Sequence, residues 1–120
     1  MSDIYQFVGP GKVARHSRSA LMARTVFFDR SELSQILSVY SRKVIAGEWC
    51  DYAIESGDDE VAFAIYRRNA VSASYRIIKR RRGRDADRYR VVTTGGRILK
   101  FGPSLRGVLG ALDPSHLRLI

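Results

Sequence analysis

The sequence predicts a single α+β domain: an N-terminal capped helix, a five-stranded antiparallel β-meander and a short C-terminal helix. Three observations support this fold class. Apolar residues recur every three to four positions over residues 30–46, which is the period of an amphipathic helix. They then alternate with polar residues in short runs over residues 49–101, which is the period of a strand. The helical spacing returns over residues 103–112.

Length and composition fit one domain with a real core. The chain has 120 residues, of which 45% are hydrophobic. Residues 1–24 have Gly, Pro and Ser punctuation and no clear period, so we expect a flexible basic tail before a domain over residues 25–120. No apolar run approaches the ~20 residues that span a bilayer, and the first residues lack the pattern of a secretory signal. We therefore expect no membrane contact and a cytoplasmic location.

The first helix has clear start and stop signals. Asp29 is a suitable N-cap, and Glu32 stands three residues later, where a capping box needs its acid. Phe28 and Leu33 occupy the positions of a hydrophobic staple. Gly47 can take the left-handed conformation that ends a helix. These signals predict a helix over residues 30–46.

The following segment predicts five short strands and a closing helix. The expected strands cover residues 49–55, 61–66, 74–80, 88–93 and 98–101. Gly95 and Gly96 suit a tight two-residue hairpin between the last two strands, because both can take positive φ. Pro103 and Ser104 can open the second helix, and Pro114 disfavours its continuation.

Several of these stretches together resemble a known family. The sequences FDRSELSQIL, GEWCDYAI and YRVVTTGGRILKFG are similar to those of the domain of unknown function 2794 family, which consists of short alphaproteobacterial proteins. The similarity extends over about residues 27–112. It implies the segmentation given above and a bacterial cytoplasmic setting, and it implies no catalytic residue or cofactor.

The charge of the chain is concentrated in one third of its length. The net charge is +9, and residues 67–100 contain twelve basic and only two acidic residues. Arginine suits phosphate because its planar fork donates two parallel hydrogen bonds. We therefore expect a non-enzymatic binding protein that contacts nucleic acid or another polyanion through a basic β-hairpin. The candidate binding residues are Arg76, Lys79, Arg80, Arg81, Arg82, Arg84, Arg88 and Arg90. This hypothesis requires that these side chains project together into water without acidic neighbours.

Two alternatives to this hypothesis stay open. The basic run can be a solvated loop whose charges prevent edge-to-edge strand pairing. It can also meet an acidic protein surface, as in a protein–protein adaptor or a homodimeric regulatory subunit, with the acidic segment 48–60 of another copy as one such surface. Both faces of the strands carry apolar residues, so either the two helices divide between the faces or one face meets a partner subunit. We expect the long helix on one face and a mixed cover on the other.

The remaining candidate residues favour structural roles. Tyr75 and Tyr89 share their strand faces with Ile77 and Val91, which predicts positions in the core or at its rim for both rings. Cys50 is expected to be an inert core thiol. The acidic turn over residues 58–60 lacks the calcium-loop spacing and is expected to be solvated. The sequence contains no catalytic constellation, metal-ligand spacing or cofactor motif that we recognise, which lowers the expectation of an enzyme and predicts neither a metal nor a cofactor.

Overall fold

A computed structural model describes residues 25–81 and 84–114 of the chain, and it confirms the predicted α+β architecture. The described elements, in order, are α1 (Arg30–Ile45), β1 (Asp51–Ser56), β2 (Glu60–Tyr66), β3 (Tyr75–Arg80), a 3-10 turn (Asp85–Asp87), β4 (Tyr89–Thr93), β5 (Ile98–Gly102) and α2 (Leu105–Leu109). The tail predicted for residues 1–24 lies outside the described residues.

Helix α1 begins and ends where its sequence signals predict. The Asp29 side chain accepts the backbone N–H of Glu32 at 2.8 Å, and the Glu32 side chain accepts the N–H of Asp29 at 2.8 Å. This reciprocal pair is the predicted capping box. Ala46 forms the C-cap, and Gly47 follows with a φ of 79°, a left-handed conformation that glycine adopts without steric cost.

The five strands form one antiparallel sheet in the order β1-β2-β3-β4-β5, so β1 and β5 are its two edges. The β4–β5 hairpin differs from the predicted two-residue turn. Thr93 N–H donates to the Arg97 carbonyl at 2.9 Å, which leaves three residues in the loop, and of its two glycines only Gly96 has positive φ. A bulge interrupts the β4–β5 register between Val91 and Val92.

Both helices pack on the same face of the sheet, which we call the helix face. Its core joins both helices to alternate residues of the central strands, namely Ile36, Val39, Val61, Phe63, Ile65, Ile77, Val91, Leu105, Val108 and Leu109. Tyr75 and Tyr89 pack against this core, as predicted. The opposite face carries Arg76, Ile78, Arg90 and Val92, and we call it the helix-free face because no described helix packs on it. The second helix therefore does not contribute to the mixed cover that we expected on the helix-free face, because it packs beside the first helix on the helix face.

The entry to β1 corrects one prediction. Cys50 is exposed rather than buried, and Trp49 takes the core position instead. The indole lies 6.1 Å from the ring of Tyr40 and 6.2 Å from the ring of Tyr75, measured between centroids. A ring buries far more apolar area than a thiol, about 150–250 Å², so the core selects Trp49 at this junction.

Candidate nucleic-acid interface

The strand register places three of the candidate arginines on the helix-free face. Residues that pair across an antiparallel ladder point to the same side of the sheet. Arg76 pairs with Val92, and Arg90 pairs with Ile78, while the adjacent Ile77 and Val91 lie in the helix-face core. Arg80 stands two residues after Ile78 and shares its side.

Apolar side chains lie between these arginines and continue to the β5 edge. Ala62, Ile78 and Val92 form a second, small cluster of buried residues. On β5, Phe101 pairs with Arg90, and Ile98 pairs with Val92. Ile98 and Phe101 are three positions apart in β5, yet their side chains share one face because the bulge inserts an extra residue between them. Phe101 is 58% exposed and Ile98 is 45% exposed. The helix-free face therefore combines guanidinium groups with one exposed aromatic ring.

Within the described residues, the expectation that the candidate cations lack acidic neighbours is wrong for Arg76, Lys79, Arg80, Arg88 and Arg90. Arg76 lies 3.0 Å from Glu55, Lys79 lies 2.8 Å from Glu32, and Arg80 lies 3.3 Å from Asp87. Arg88 and Arg90 have longer contacts, 3.8 Å to Asp85 and 3.9 Å to Asp87.

The reason is the path of the β3–β4 connection, which does not extend away from the sheet. Its 3-10 turn, Asp85–Asp87, packs against β5 and places Asp87 within reach of both Arg80 and Arg90. The acidic β1–β2 turn also approaches, because Arg81 N–H donates to the Asp59 carbonyl at 2.8 Å.

Lys79 lies on the other side of the sheet from the three arginines. Its ammonium donates to Glu32 Oε1 at 2.8 Å and to the Phe27 carbonyl at 2.9 Å. Only 15% of its side chain is exposed. Lys79 therefore stabilises the contact between β3 and the start of α1, and its side chain is not part of the helix-free face.

Glu32 is the centre of a polar network that the sequence did not reveal. Besides capping α1 and pairing with Lys79, its buried carboxylate accepts a hydrogen bond from the Tyr89 hydroxyl. Burial and the bond to Glu32 raise the pKa of Tyr89 to about 12, so this phenol stays protonated at neutral pH. The capping-box spacing was the only signal, and it cannot show which strands the acid contacts.

The remaining basic candidates lie in the β3–β4 connection. Arg81 and Arg84 are exposed, and Arg84 makes no ion pair with a carboxylate in the described part of the chain. Lys79, Arg81 and Arg88 line a shallow depression of about 230 Å³ together with residues 25–27. Arg82 lies outside the described residues. The described cations thus fall into two main groups: Arg76, Arg80 and Arg90 on the helix-free face, and Lys79, Arg81 and Arg88 around the depression beside residues 25–27.

Comparison with known proteins gives one match. The model of a family described as Protein of unknown function (DUF2794) matches residues 26–109. No curated protein and no solved structure matches the chain. None of the described helices has the length and apolar character needed to cross a membrane. Within residues 25–81 and 84–114, no group of three His, Cys, Asp or Glu side chains is placed to hold a metal ion.

Proposed function

We propose that this chain, which belongs to the DUF2794 family, is a non-enzymatic protein that binds single-stranded nucleic acid on its helix-free face. The observation that carries the proposal is the register, which aligns Arg76, Arg80 and Arg90 with the exposed ring of Phe101. Guanidinium groups bind phosphates, and an exposed aromatic ring stacks on bases of any sequence. Arg84, which is exposed in the β3–β4 connection, adds a further cation near the end of β3.

The carboxylate partners of these arginines are compatible with phosphate binding. Ion pairs at a solvent-exposed surface contribute only about 0–1 kcal/mol each, so exchanging a carboxylate for a phosphate costs little. Arg80 and Arg76 have side chains that are each 35% exposed. A guanidinium has five N–H donors. Within the described residues, the contact of Arg80 with Asp87 is made by Nη1 alone, so other donors of Arg80 remain for a phosphate.

Binding to oligonucleotides over a range of salt concentrations tests the proposal. Fluorescence anisotropy would compare random-sequence single-stranded DNA, duplex DNA and RNA from low to moderate salt. The test variant is R80Q/R84Q, which removes one arginine of the helix-free face and one exposed cation of the β3–β4 connection. The matched control is R30Q/R68Q, which removes two exposed cations from the helix layer and from the opposite end of the sheet.

We expect single strands to bind best, and the test variant to bind more weakly than its control at equal net charge. The slope of log affinity against log salt should fall by about 0.7 for each phosphate of a single strand that the variant no longer neutralises. Absence of binding by wild type at low salt contradicts the proposal. Equal losses of affinity in the two double variants contradict it as well, because they would reflect net charge alone.

A protein–protein adaptor is the second candidate, and one observation favours it. The β5 edge exposes Ile98, Leu99 and Phe101 beside the basic Arg97 and Lys100. An exposed edge strand can accept an extended segment of another protein by strand addition. Purification with one stoichiometric acidic partner and no bound nucleic acid would support this candidate over the first.

A further inference from the structure

The two edges of the sheet carry opposite charges. Residues 48–60, which include β1, contain six acidic and no basic residues. Residues 85–112, which include β4, β5, α2 and the 3-10 turn that packs against β5, contain five basic and two acidic residues. Because the strands follow one another in sequence order across the sheet, these two segments lie on opposite sides of the molecule. The domain is therefore electrostatically polar along the direction in which its strands pair.

Within residues 25–81 and 84–114, both edge strands also expose apolar side chains and have one backbone edge without a strand partner. β1 exposes Tyr52 and Ile54, and β5 exposes Ile98, Leu99 and Phe101. Each of these strands pairs with a single neighbour in the described sheet. Such edges template the addition of another strand unless charge, proline or a covering element prevents it. The strands are also similar in length, six residues in β1 and five in β5.

We propose that the basic β5 edge of one copy pairs with the acidic β1 edge of a second copy. Opposite charges across an interface guide encounter and select the partner, whereas like charges placed opposite each other oppose pairing. Pairing two β5 edges would bring Arg97 and Lys100 of each copy together, and pairing two β1 edges would bring Asp51 and Glu55 together. The mixed contact avoids both repulsions.

This contact joins two different surfaces, so it is head-to-tail. A head-to-tail contact leaves one β1 edge and one β5 edge free in every pair of copies, and further copies add until a ring closes or a chain remains open. The contact uses the edges and does not require the nucleic-acid proposal, which concerns the helix-free face. Either proposal can fail without the other.

Sedimentation velocity of the full chain, freed of nucleic acid, tests the inference from micromolar to millimolar concentration. We expect a concentration-dependent increase in mean mass beyond two copies that weakens as salt rises. A monomer at every concentration overturns the inference. A species that stops at two copies also overturns it, because that would indicate a symmetric contact.

Charge reversal on each edge identifies the surfaces involved. R97E/K100E makes β5 acidic, and D51K/D58K/D59K makes β1 and its turn basic, with three lysines and one glutamate over residues 51–59. The association constant of each variant alone should be lower than that of wild type by about tenfold or more, because like charges now face one another. An equimolar mixture should associate again, because the reversed edges complement each other. R30E/R68E is the control for R97E/K100E, with the same charge change at residues outside both edge strands, and should associate as wild type does.

A mixture that remains monomeric overturns the inference, as does equal loss of association in the control. Hydrogen exchange of the wild type supplies a second measurement that needs no variant. Backbone amides of β1 and β5 should exchange more slowly at high than at low protein concentration, while those of β3 should not change. Uniform or absent protection would count against edge pairing.

Discussion

Replacing Glu32 with Gln tests whether the buried carboxylate stabilises three elements at once. It accepts hydrogen bonds from Asp29 N–H, the Lys79 ammonium and the Tyr89 hydroxyl. The amide keeps the size and one acceptor oxygen but leaves the Lys79 charge without its partner. Removing one member of a buried ion pair costs about 3–5 kcal/mol. Lys79 retains the Phe27 carbonyl at 2.9 Å, so we expect a loss of about 2–3 kcal/mol in the free energy of unfolding.

The assay is urea unfolding followed by the fluorescence of Trp49, the single tryptophan, which is buried in the core. The control is E48Q, because Glu48 pairs with Lys43 at 3.4 Å on the surface, and exposed pairs contribute about 0–1 kcal/mol. The double variant E32Q/K79M should be less destabilised than the sum of its single variants, since no buried charge is then left unpaired. If E32Q costs no more than E48Q, the network is solvated and the reasoning fails.

Three further predictions follow from individual residues. Folding raises the pKa of Tyr89 to about 12, so the stabilisation by its protonated hydroxyl is complete below the unfolded pKa of about 10 and is lost between about pH 10 and 12. The free energy of unfolding of wild type should therefore fall more steeply over this pH range than that of Y89F. Parallel curves for the two proteins would contradict this prediction. F101L should weaken the binding of single-stranded oligonucleotides by about 1–3 kcal/mol in anisotropy titrations, while the thermal unfolding temperature stays unchanged. Full affinity in this variant would exclude base stacking on the Phe101 ring. G47A should lower the free energy of unfolding, measured with denaturant, by about 1–2 kcal/mol, because a φ of 79° is strained for alanine. G95A should lower it clearly less, because a Cβ at Gly95 meets no atom within 4 Å and Gly95 has no positive φ. Equal losses in the two variants would show that residue 47 does not retain the left-handed conformation.

The elements of the fold could be predicted because their signals are local. The capping box of Asp29 and Glu32, the stop at Gly47 and the change of period near Trp49 each act within a few residues. Local patterns alone determine where a chain turns and which period it follows. The observed bounds of α1 accordingly agree with the prediction to within one residue.

The geometry of the candidate interface could not be predicted in the same way, because it depends on contacts between distant residues. Simple alternation would place Ile98 and Phe101 on opposite faces, and the bulge reverses that expectation. The basic run itself contains two aspartates, yet only the fold of the connection shows that Asp87 lies between two arginines. The burial of Trp49 in preference to Cys50 likewise depends on rings supplied by other elements.

NMR titration of the isotope-labelled full chain with a mixed-sequence single-stranded oligonucleotide at low salt locates the binding surface residue by residue. If nucleic acid lies across the helix-free face, we expect the side-chain Nε–Hε signals of Arg80 and Arg90 and the ring signals of Phe101 to shift progressively. Signals of the buried α1 residues Ile36 and Val39 should not shift. Shifts confined to the helix face, or a spectrum unchanged by excess oligonucleotide, would contradict this expectation.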